Sequence, residues 1–332
     1  MAKRVECFYG QSGTGKSEAA AAVIEAVYQN DGLKSRVIVG DGSKATYIDR
    51  GLVDAGVVEV LDFSVRDWPM TTFAQLCEGF WPADVDDPKS KLIAPTPDTL
   101  SKLGVFVVEG LSVGAQYLMG DRLGGLAEQA SRGIKIGQDS PIRFKDILLD
   151  KNGKEIANSG PGTEFGGNPI AHFQVVQRRL LSNLERTKVF PNVVIWTAHE
   201  RSTVDKISGE KLVGPEAAGE AITANLPRHF NNTLHFVTAS NKKEKKKDDH
   251  TEQMVTELDT EYRVYTRDHF HPDGTSFVKY KAVARGVSET EGMPLYLTSD
   301  IPGQSIREFY TKLKEVREER AAKLKGRLSE AA

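Results

Sequence analysis

Residues 10–17, GQSGTGKS, constrain the fold of this chain more than any other segment. They fit the pattern G-x-x-x-x-G-K-[ST], in which small residues let the backbone turn tightly before a lysine and a hydroxyl. The apolar residues 5–9 before the octet predict a short buried strand, and the alanine-rich residues from 17 onward predict a helix. The order strand, glycine-rich loop and helix therefore predicts an α/β fold.

A glycine-rich loop that leads into a helix is suited to hold phosphate groups. The first N–H groups of a helix have no partner within it, the helix dipole is positive at that end, and the loop's own N–H groups can turn inward. In this pattern the lysine contacts the β- and γ-phosphates and the following hydroxyl binds Mg²⁺. The alternative is a plain glycine-rich turn that enters a helix. We expect a nucleoside triphosphate with Mg²⁺ to bind here, on Gly10, Gln11, Ser12, Gly13, Thr14, Gly15, Lys16 and Ser17.

Length, charge and cysteine content narrow the class of protein. With 332 residues, of which 39% are hydrophobic, the chain can form one large or two small domains with a sizeable core. The net charge of −2 gives no overall basic excess that would indicate nucleic acid, although a local basic patch is compatible with it. Two cysteines are too few for a disulfide framework, so we expect a reducing, cytoplasmic environment. The start of the chain and the lack of a long apolar segment predict neither a signal peptide nor a membrane span.

Further apolar segments predict a sheet of strands that alternate with helices. Strands are expected at 37–39, 57–63, 105–108 and 193–197, with helices at 71–80 and 173–184. The segments TLHFVTA, EYRVYTR and SFVKYKAVARG predict three more strands, and the lysine-rich NKKEKKKDDH between the first two predicts a solvated hairpin loop. Together these elements predict a mostly parallel sheet flanked by helices, with antiparallel strands added at its C-terminal edge.

The composition predicts a core, one insertion and a C-terminal extension. We expect an ATPase-type core at 1–290, with an inserted loop or hairpin segment at about 131–170, where Gly, Asn, Asp, Ser and Pro are frequent and Asn152-Gly153 indicates a turn. Residues 291–332 form the extension, with a charged helix at about 304–327. The single apolar stripe of that helix is available, on this interpretation, to dock a protein partner; it consists of Ile306, Phe309, Leu313 and Val316.

Polar residues at the ends of predicted strands are the candidate catalytic groups, because ligands of parallel sheets bind at the carboxyl ends of the strands. Glu109 follows four apolar residues and can support Mg²⁺ or act on the attacking water, or it can simply cap the next turn. Asp41 ends the second strand and could accept a proton from that water, although GDGS is also an ordinary turn. Thr197 and His199 share one side of their strand, where they could hydrogen-bond the γ-phosphate or its water.

Three cations of a late predicted strand share one face. Lys279, Lys281 and Arg285 have the same parity on the strand at 277–285. In a ring or filament, Lys281 or Arg285 could reach the γ-phosphate of a neighbouring copy as an arginine finger does, with Arg285 preferred for its forked guanidinium. The alternative is a solvated basic face at the edge of the sheet.

These segments together resemble the RecA-like ATPases of tailed bacteriophages, which include phage nucleotide-binding proteins and recombinases of the single-strand-annealing type. The resemblance lies in the loop at 10–17, the strand that ends in Glu109, NVVIWTAHE, and GPEAAGEAITANLPRHFNNTLHFV, and it covers about residues 5–285. It implies a RecA-like P-loop NTPase core that binds ATP and Mg²⁺, with Ser17 and Glu109 at the metal and with Thr197 and His199 on the sensor strand. The chain departs from the family pattern in having Glu109 in place of Asp, and Lys281 and Arg285 in place of a closer Lys-x-Arg pair.

The resemblance implies an oligomeric ATPase, a ring or filament, that acts on single-stranded DNA in phage recombination or replication in the cytoplasm of the infected bacterial host. The candidate DNA contacts are the lysine run at 242–247 and the basic residues of the insertion, namely Arg132, Lys135, Arg143 and Lys145. A different interpretation is an ATP-binding assembly or scaffold protein, associated with the virion and without a nucleic-acid role. The balanced charge and the charged C-terminal helix suit this second interpretation equally well.

Overall fold

The computed structural model describes residues 3–40, 42–63, 70–112, 114–115, 118, 169–204, 211–217, 220–242, 246–247, 254–255, 258–270, 278–284 and 293–330. The strands are β1 (Arg4–Gly10), β2 (Lys34–Val39), β3 (Val58–Asp62), β4 (Trp81–Pro82), β5 (Leu92–Ile93), β6 (Leu103–Val108), β7 (Val193–Ala198), β8 (Glu200–Val204), β9 (Lys211–Pro215), β10 (Asn232–Lys242), β11 (Lys246–Lys247), β12 (Met254–Val255), β13 (Leu258–Tyr265), β14 (Arg267–Phe270), β15 (Val278–Ala284) and β16 (Tyr296–Ser299). The helices are α1 (Lys16–Asp31), α2 (Lys44–Asp49), α3 (Met70–Cys77), α4 (Pro97–Ser101), α5 (Pro169–Arg186), α6 (Glu220–Asn225) and α7 (Gln304–Glu330), with 3-10 turns at Thr187–Val189 and Leu226–His229.

Twelve strands of the described chain form one large sheet. Its first part has the order β3-β2-β6-β7-β1-β10, and every neighbouring pair in that part is parallel. The order continues through β15, β9 and β8, with antiparallel pairing of β10 with β15 and of β9 with β8. Strand β13 pairs antiparallel with β10 and with β16, and β14 pairs antiparallel with β15. The predicted α/β fold with a large, mostly parallel sheet flanked by helices is confirmed.

The central strands are buried because helices cover both faces of the sheet. Along β6, Val105 and Val107 belong to the hydrophobic cluster that contains the alanines of α1, whereas Phe106 and Val108 belong to the cluster that contains residues of α3 and α5. Alternate residues of a strand point to opposite faces, so a continuous apolar run fits a strand with a helical layer on each side. This burial fixes where the strands end, and the polar candidate residues follow directly after those ends.

The C-terminal segment is part of the same packed unit in the structure. Strand β16 pairs with β13, and α7 packs against α1. All four residues of the apolar stripe of α7 are buried, and Ile306, Phe309 and Leu313 belong to the cluster that contains the alanines of α1; the fourth is Val316. The prediction that this stripe is available to a partner is therefore wrong. Small alanine side chains leave a shallow surface on α1, and the larger side chains of α7 fill it.

The lysine-rich hairpin also differs from the prediction. Lys242 pairs with Leu258 at the end of β10, and β11 pairs antiparallel with β12, so the described lysines of the run at 242–247 lie in strands rather than in a loop. The antiparallel pairing of β10 with β13 continues outward into this segment, which explains the difference. The turn at 152–153 and the basic residues of the insertion lie outside the described residues. Among the helices that the structure describes, none is both long and apolar enough to span a membrane.

Candidate functional site

A cavity of about 350 Å³ lies where β1, β6 and β7 end. The three strands are parallel neighbours, so the residues that follow them meet at one edge of the sheet. Its volume is in the range of small-molecule binding sites. The predicted phosphate loop, residues 10–17, contributes five of its wall residues, namely Ser12, Gly13, Gly15, Lys16 and Ser17. Glu109, Thr197 and His199 also line the cavity, so the structure brings the main sequence-predicted residues together.

The phosphate loop leads directly into the open N-terminus of α1. Gly15 at the helix start has left-handed backbone angles, and no described side chain caps the terminus. The ammonium of Lys16 donates to the carbonyl oxygens of Gly10 and Gln11, at 3.0 and 2.6 Å. The hydroxyl of Thr14 donates to the same Gln11 carbonyl at 2.9 Å, which closes the loop on itself. The loop thus presents a helix N-terminus and a lysine at the cavity, a combination that attracts anions.

Glu109 is a buried carboxylate with two hydroxyl donors. It is 4% exposed, and it accepts hydrogen bonds of 2.6 Å from Tyr47 Oη at Oε1 and of 2.6 Å from Thr197 Oγ1 at Oε2. Thr197 Oγ1 in turn accepts from the backbone N–H of Gly110 at 2.9 Å. Hydrogen bonds donated to a carboxylate favour its ionised form. Both oxygens of the Glu109 carboxylate thus accept a hydroxyl hydrogen bond, in a cavity that Lys16 also lines.

An ion-pair network holds α2, and with it Tyr47, against α1. Arg50, just after α2, contacts Glu18 through Nη1 and Glu25 through Nε, both at 2.7 Å. Arg307 of α7 also pairs with Glu25. Partial burial lowers the pKa of Arg50, but its hydrogen bonds to Glu25 and Glu18 outweigh this effect and the pKa is raised. The network connects three helices at the rim of the cavity, since Glu18 is itself a wall residue.

The turn before α7 completes the wall next to the phosphate loop. Pro302 lines the cavity, and a Cβ atom placed on Gly15 would lie 3.3 Å from Pro302 Cβ. Gly303 follows with φ of +80°, and a Cβ atom on it would lie 2.6 Å from the backbone carbon of Glu18. Only glycine allows this approach, because real Cβ atoms do not come so close to backbone atoms. The C-terminal segment is thus seated on the first turn of α1.

The end of β7 is tied to the segment that follows β9. The N–H of His199 donates to Ser112 Oγ at 3.3 Å, and its carbonyl accepts from the N–H of Glu216 at 2.6 Å. Ser112 Oγ also donates to the carbonyl of Glu216 at 3.3 Å. These bonds fix the backbone of His199 while its partly exposed side chain lines the cavity. A fixed backbone with the imidazole at the cavity is compatible with the predicted sensor role of His199, which stays a prediction.

Several other predicted residues lie elsewhere. Gln11 and Thr14 line a second cavity on the other side of the phosphate loop. Lys281 is not a wall residue of the first cavity, and its Nζ lies 3.2 Å from Asp268 Oδ2 within the same chain. Asp41 and Arg285 lie outside the described residues, so their predicted roles stay predictions.

Three contributors to the site were not predicted from the sequence. Tyr47, Pro302 and the ion pairs of Arg50 carry no recognisable motif, and their places depend on how α2 and α7 pack on α1. For Pro302 the sequence offers one indication, because a proline and a glycine directly precede a predicted helix and so mark a turn. A buried carboxylate also needs a hydrogen-bond donor, so the sequence indicates that some donor contacts Glu109 but does not indicate that this donor is Tyr47.

The donor chemistry of the cavity fits Mg²⁺. The Ser17 hydroxyl and the Glu109 carboxylate line the same cavity, and both are hard oxygen ligands of the kind this ion prefers. Within the described ranges no group of three or more His, Cys, Asp or Glu side chains is placed to hold a metal. A magnesium ion here would thus take its other ligands from nucleotide oxygens and water, as is usual for Mg²⁺ at phosphates.

Comparison with known proteins assigns no family to the chain. No protein-family model matches it, and no curated protein matches it. The function proposed below is therefore drawn from the residues and geometry of this site.

Proposed function

We propose that this chain is an ATPase with a RecA-like P-loop core, which binds ATP with Mg²⁺ in the 350 Å³ cavity and hydrolyses it. One observation carries the proposal: the phosphate loop at the open end of α1 and the buried Glu109 carboxylate line a single cavity. The loop and Lys16 supply positive potential for a triphosphate, and Glu109 supplies a base beyond its γ-phosphate. A glycine-rich loop is common at a helix start, and a carboxylate is common at a strand end. The presence of both at one ligand-sized cavity supports hydrolysis.

The residues divide the chemistry between them. The N–H groups of the phosphate loop and the ammonium of Lys16 bind the β- and γ-phosphate oxygens in place of the carbonyls that Lys16 contacts. A water on the Glu109 side attacks the γ-phosphorus, the bond from that phosphorus to the bridging oxygen breaks, and the products are ADP and phosphate. Glu109 orients this water and accepts its proton. Ser17 and Glu109 are also the residues that would hold Mg²⁺, which when bound neutralises charge on the phosphates.

We further propose that the protein is an oligomer acting on single-stranded DNA in phage recombination or replication, in the host cytoplasm. The strand order supports the RecA-like core, because the β7 strand with Thr197 separates the loop strand β1 from the Glu109 strand β6. This separation leaves room between loop and acid for a phosphate and a water. The lysines at the end of β10 and in β11 supply local positive charge on a chain that has little net charge.

Steady-state ATP hydrolysis with and without single-stranded DNA tests this proposal, at about 50 mM and about 200 mM salt because phosphate contacts weaken as salt rises. We expect turnover that DNA stimulates several-fold at the lower salt and less at the higher. The matched controls are Lys16→Ala, which should abolish turnover, and Lys102→Ala, an exposed lysine remote from the loop, which should not change it.

Each outcome of this assay has a definite meaning. ATP hydrolysis at the wild-type rate by Lys16→Ala would show that the phosphate-loop assignment is wrong. Turnover that DNA does not change at either salt would retain the ATPase and reject the recombination role. The assembly or scaffold interpretation would then replace it, with another protein as the activator.

A further inference from the structure

A second cavity of about 260 Å³ lies on the other side of the phosphate loop and contains a chain of ionisable groups. The side-chain amide of Gln11 in the loop donates to Glu200 Oε1 at 2.9 Å. Glu200 Oε2 lies 3.0 Å from His235 Nε2, and His235 Nδ1 lies 3.2 Å from His269 Nε2. His269 Nδ1 lies 3.2 Å from the carbonyl oxygen of Arg267. The chain thus runs from a backbone carbonyl through two imidazoles and a carboxylate to the loop that is proposed to bind phosphate.

The three contacts that involve the imidazoles require three protons. A carbonyl oxygen cannot donate, so the contact to Arg267 needs a proton on His269 Nδ1, and each of the other two contacts also needs one proton between its two atoms. Two neutral imidazoles carry one N–H proton each. The connected side chains of Glu200, His235 and His269 are termed here the His–Glu chain. For all three contacts to be hydrogen bonds at once, the His–Glu chain needs one proton more than an ionised carboxylate and two neutral imidazoles supply.

The two imidazoles of the His–Glu chain are buried, whereas Glu200 is partly exposed. His235 is 1% and His269 is 6% exposed. Burial lowers the pKa of His235, and Glu200 opposes that effect. Burial raises the pKa of Glu200, but hydrogen bonds from His235 and Gln11 outweigh it and the pKa is lowered. Among the described residues, ionisable groups near the His–Glu chain come from five elements; they are Tyr9, Lys16, Tyr265, Asp268 and Tyr280. The ring of Tyr9 stacks on His235 and that of Tyr265 stacks on His269. Asp268 is paired with Lys279 and Lys281.

We propose that the His–Glu chain positions the phosphate loop through Gln11, and that its extra proton is the switch that decides whether the loop is held for ATP. Removal of that proton leaves two acceptors facing each other in one contact, so one contact must break. Glu200 is the most exposed of the three side chains and carries the negative charge, so it moves away from His235 and releases Gln11. ATP then binds more weakly at high pH. This coupling depends on the proposed function, but the proton count does not.

Two substitutions remove the need for the extra proton while keeping the contacts of His235 with residues 200 and 269. In Glu200→Gln, the amide nitrogen can donate to a neutral His235 and the amide oxygen can still accept from Gln11. In His269→Gln, the amide nitrogen replaces the imidazole Nε2 and donates to His235 Nδ1, so that His235 Nε2 carries its single proton to Glu200. An amide both donates and accepts, so both variants satisfy the remaining contacts without an added charge, although His269→Gln removes the imidazole donor to the Arg267 carbonyl. Circular dichroism is the control that each variant is folded.

The proton count is tested on the nucleotide-free protein by NMR titration of imidazole ¹⁵N shifts from about pH 5.5 to about pH 9. In the wild type we expect His235 and His269 to titrate together with one shared midpoint, as coupled groups do. In Glu200→Gln the midpoint should fall by at least about one pH unit, because an opposite charge at hydrogen-bond distance has been removed. His269→Gln should remove the shared titration from His235. Unchanged midpoints in Glu200→Gln would overturn the shared proton.

The coupling is tested by measuring ATP affinity across the same pH range. We expect wild-type affinity to fall at least about fivefold as pH rises through the NMR midpoint. Glu200→Gln should show no such fall beyond the titration of ATP itself, which affects both proteins equally. A pH dependence that is the same in both proteins would overturn the coupling. A wild type that binds no ATP at any pH would overturn the proposed function and the coupling, while the NMR result alone decides the proton count.

Discussion

The hydroxyl of Tyr47 lies 2.6 Å from Oε1 of Glu109 and donates a hydrogen bond to it from a different layer of the molecule. Glu109 ends a central strand, whereas Tyr47 belongs to a short helix held on α1 by Arg50. The other carboxylate oxygen is taken by Thr197. The position of the Glu109 carboxylate is thus set jointly by the sheet and by the helical layer. Substitutions of Tyr47 and of Glu109 test this arrangement.

Substitution of Tyr47 by phenylalanine removes one donor to the buried carboxylate. A hydrogen bond to a charged group contributes about 1.5 kcal/mol or more, which corresponds to roughly tenfold in rate. We expect kcat for ATP hydrolysis to fall by about that factor while KM changes little, since Tyr47 is not a wall residue of the cavity. The control is Tyr28→Phe, at a partly exposed tyrosine of α1. Equal turnover of both variants would show that Tyr47 does not position Glu109.

Substitution of Glu109 by glutamine separates its two possible roles. A glutamine keeps the size; its amide oxygen can still accept from Thr197 while its amide nitrogen donates to the Tyr47 hydroxyl, but it is a poor base. We expect ATP affinity in the presence of Mg²⁺ to be retained and turnover to fall by at least about a hundredfold, as for loss of a general base. A parallel loss of Mg²⁺-dependent affinity would instead assign Glu109 to metal support. Binding and turnover must therefore be measured on the same preparation.

Gly303 tests the contact between the C-terminal turn and the phosphate loop. Alanine at this position would combine a φ of +80° with a Cβ atom 2.6 Å from the backbone of Glu18. The matched control is Gly32→Ala, where φ is +67° and a Cβ would meet nothing within 4 Å. We expect the control to lose about 1 kcal/mol of unfolding free energy from backbone strain alone, and Gly303→Ala to lose at least about 1 kcal/mol more. Equal losses in denaturant unfolding would show that the turn is not seated on α1.

Phe309 tests whether α7 belongs to the folded core. Phe309 is fully buried against α1, and its replacement by alanine should cost about 3–5 kcal/mol of unfolding free energy. Phe270 is 56% exposed, so Phe270→Ala should cost far less in the same denaturation experiment. A Phe309→Ala variant as stable as Phe270→Ala would mean that the apolar stripe of α7 is open after all.

The sequence predicts those parts of the site that depend on local order along one strand or loop. The phosphate loop has a spacing pattern, and Glu109, Thr197 and His199 each follow an apolar run whose burial fixes where they emerge. Tyr47 could not be predicted, because its approach to Glu109 depends on the packing of α2 on α1. The sequence predicts the apolar stripe of α7, but it does not predict that α1 covers this stripe. His235 and His269 are 34 residues apart and each reads as a single core histidine, so only the folded sheet shows their contact.

Equilibrium binding of ATP in the presence of Mg²⁺, measured by calorimetry on the wild type and on Lys16→Ala, tests the central claim most directly. We expect one site per chain in the wild type and at least about tenfold weaker binding in Lys16→Ala, a loss of about 1.4 kcal/mol or more. Equal affinity of the two proteins, or no binding by a folded wild type, would contradict the assignment of residues 10–17 as the ATP site.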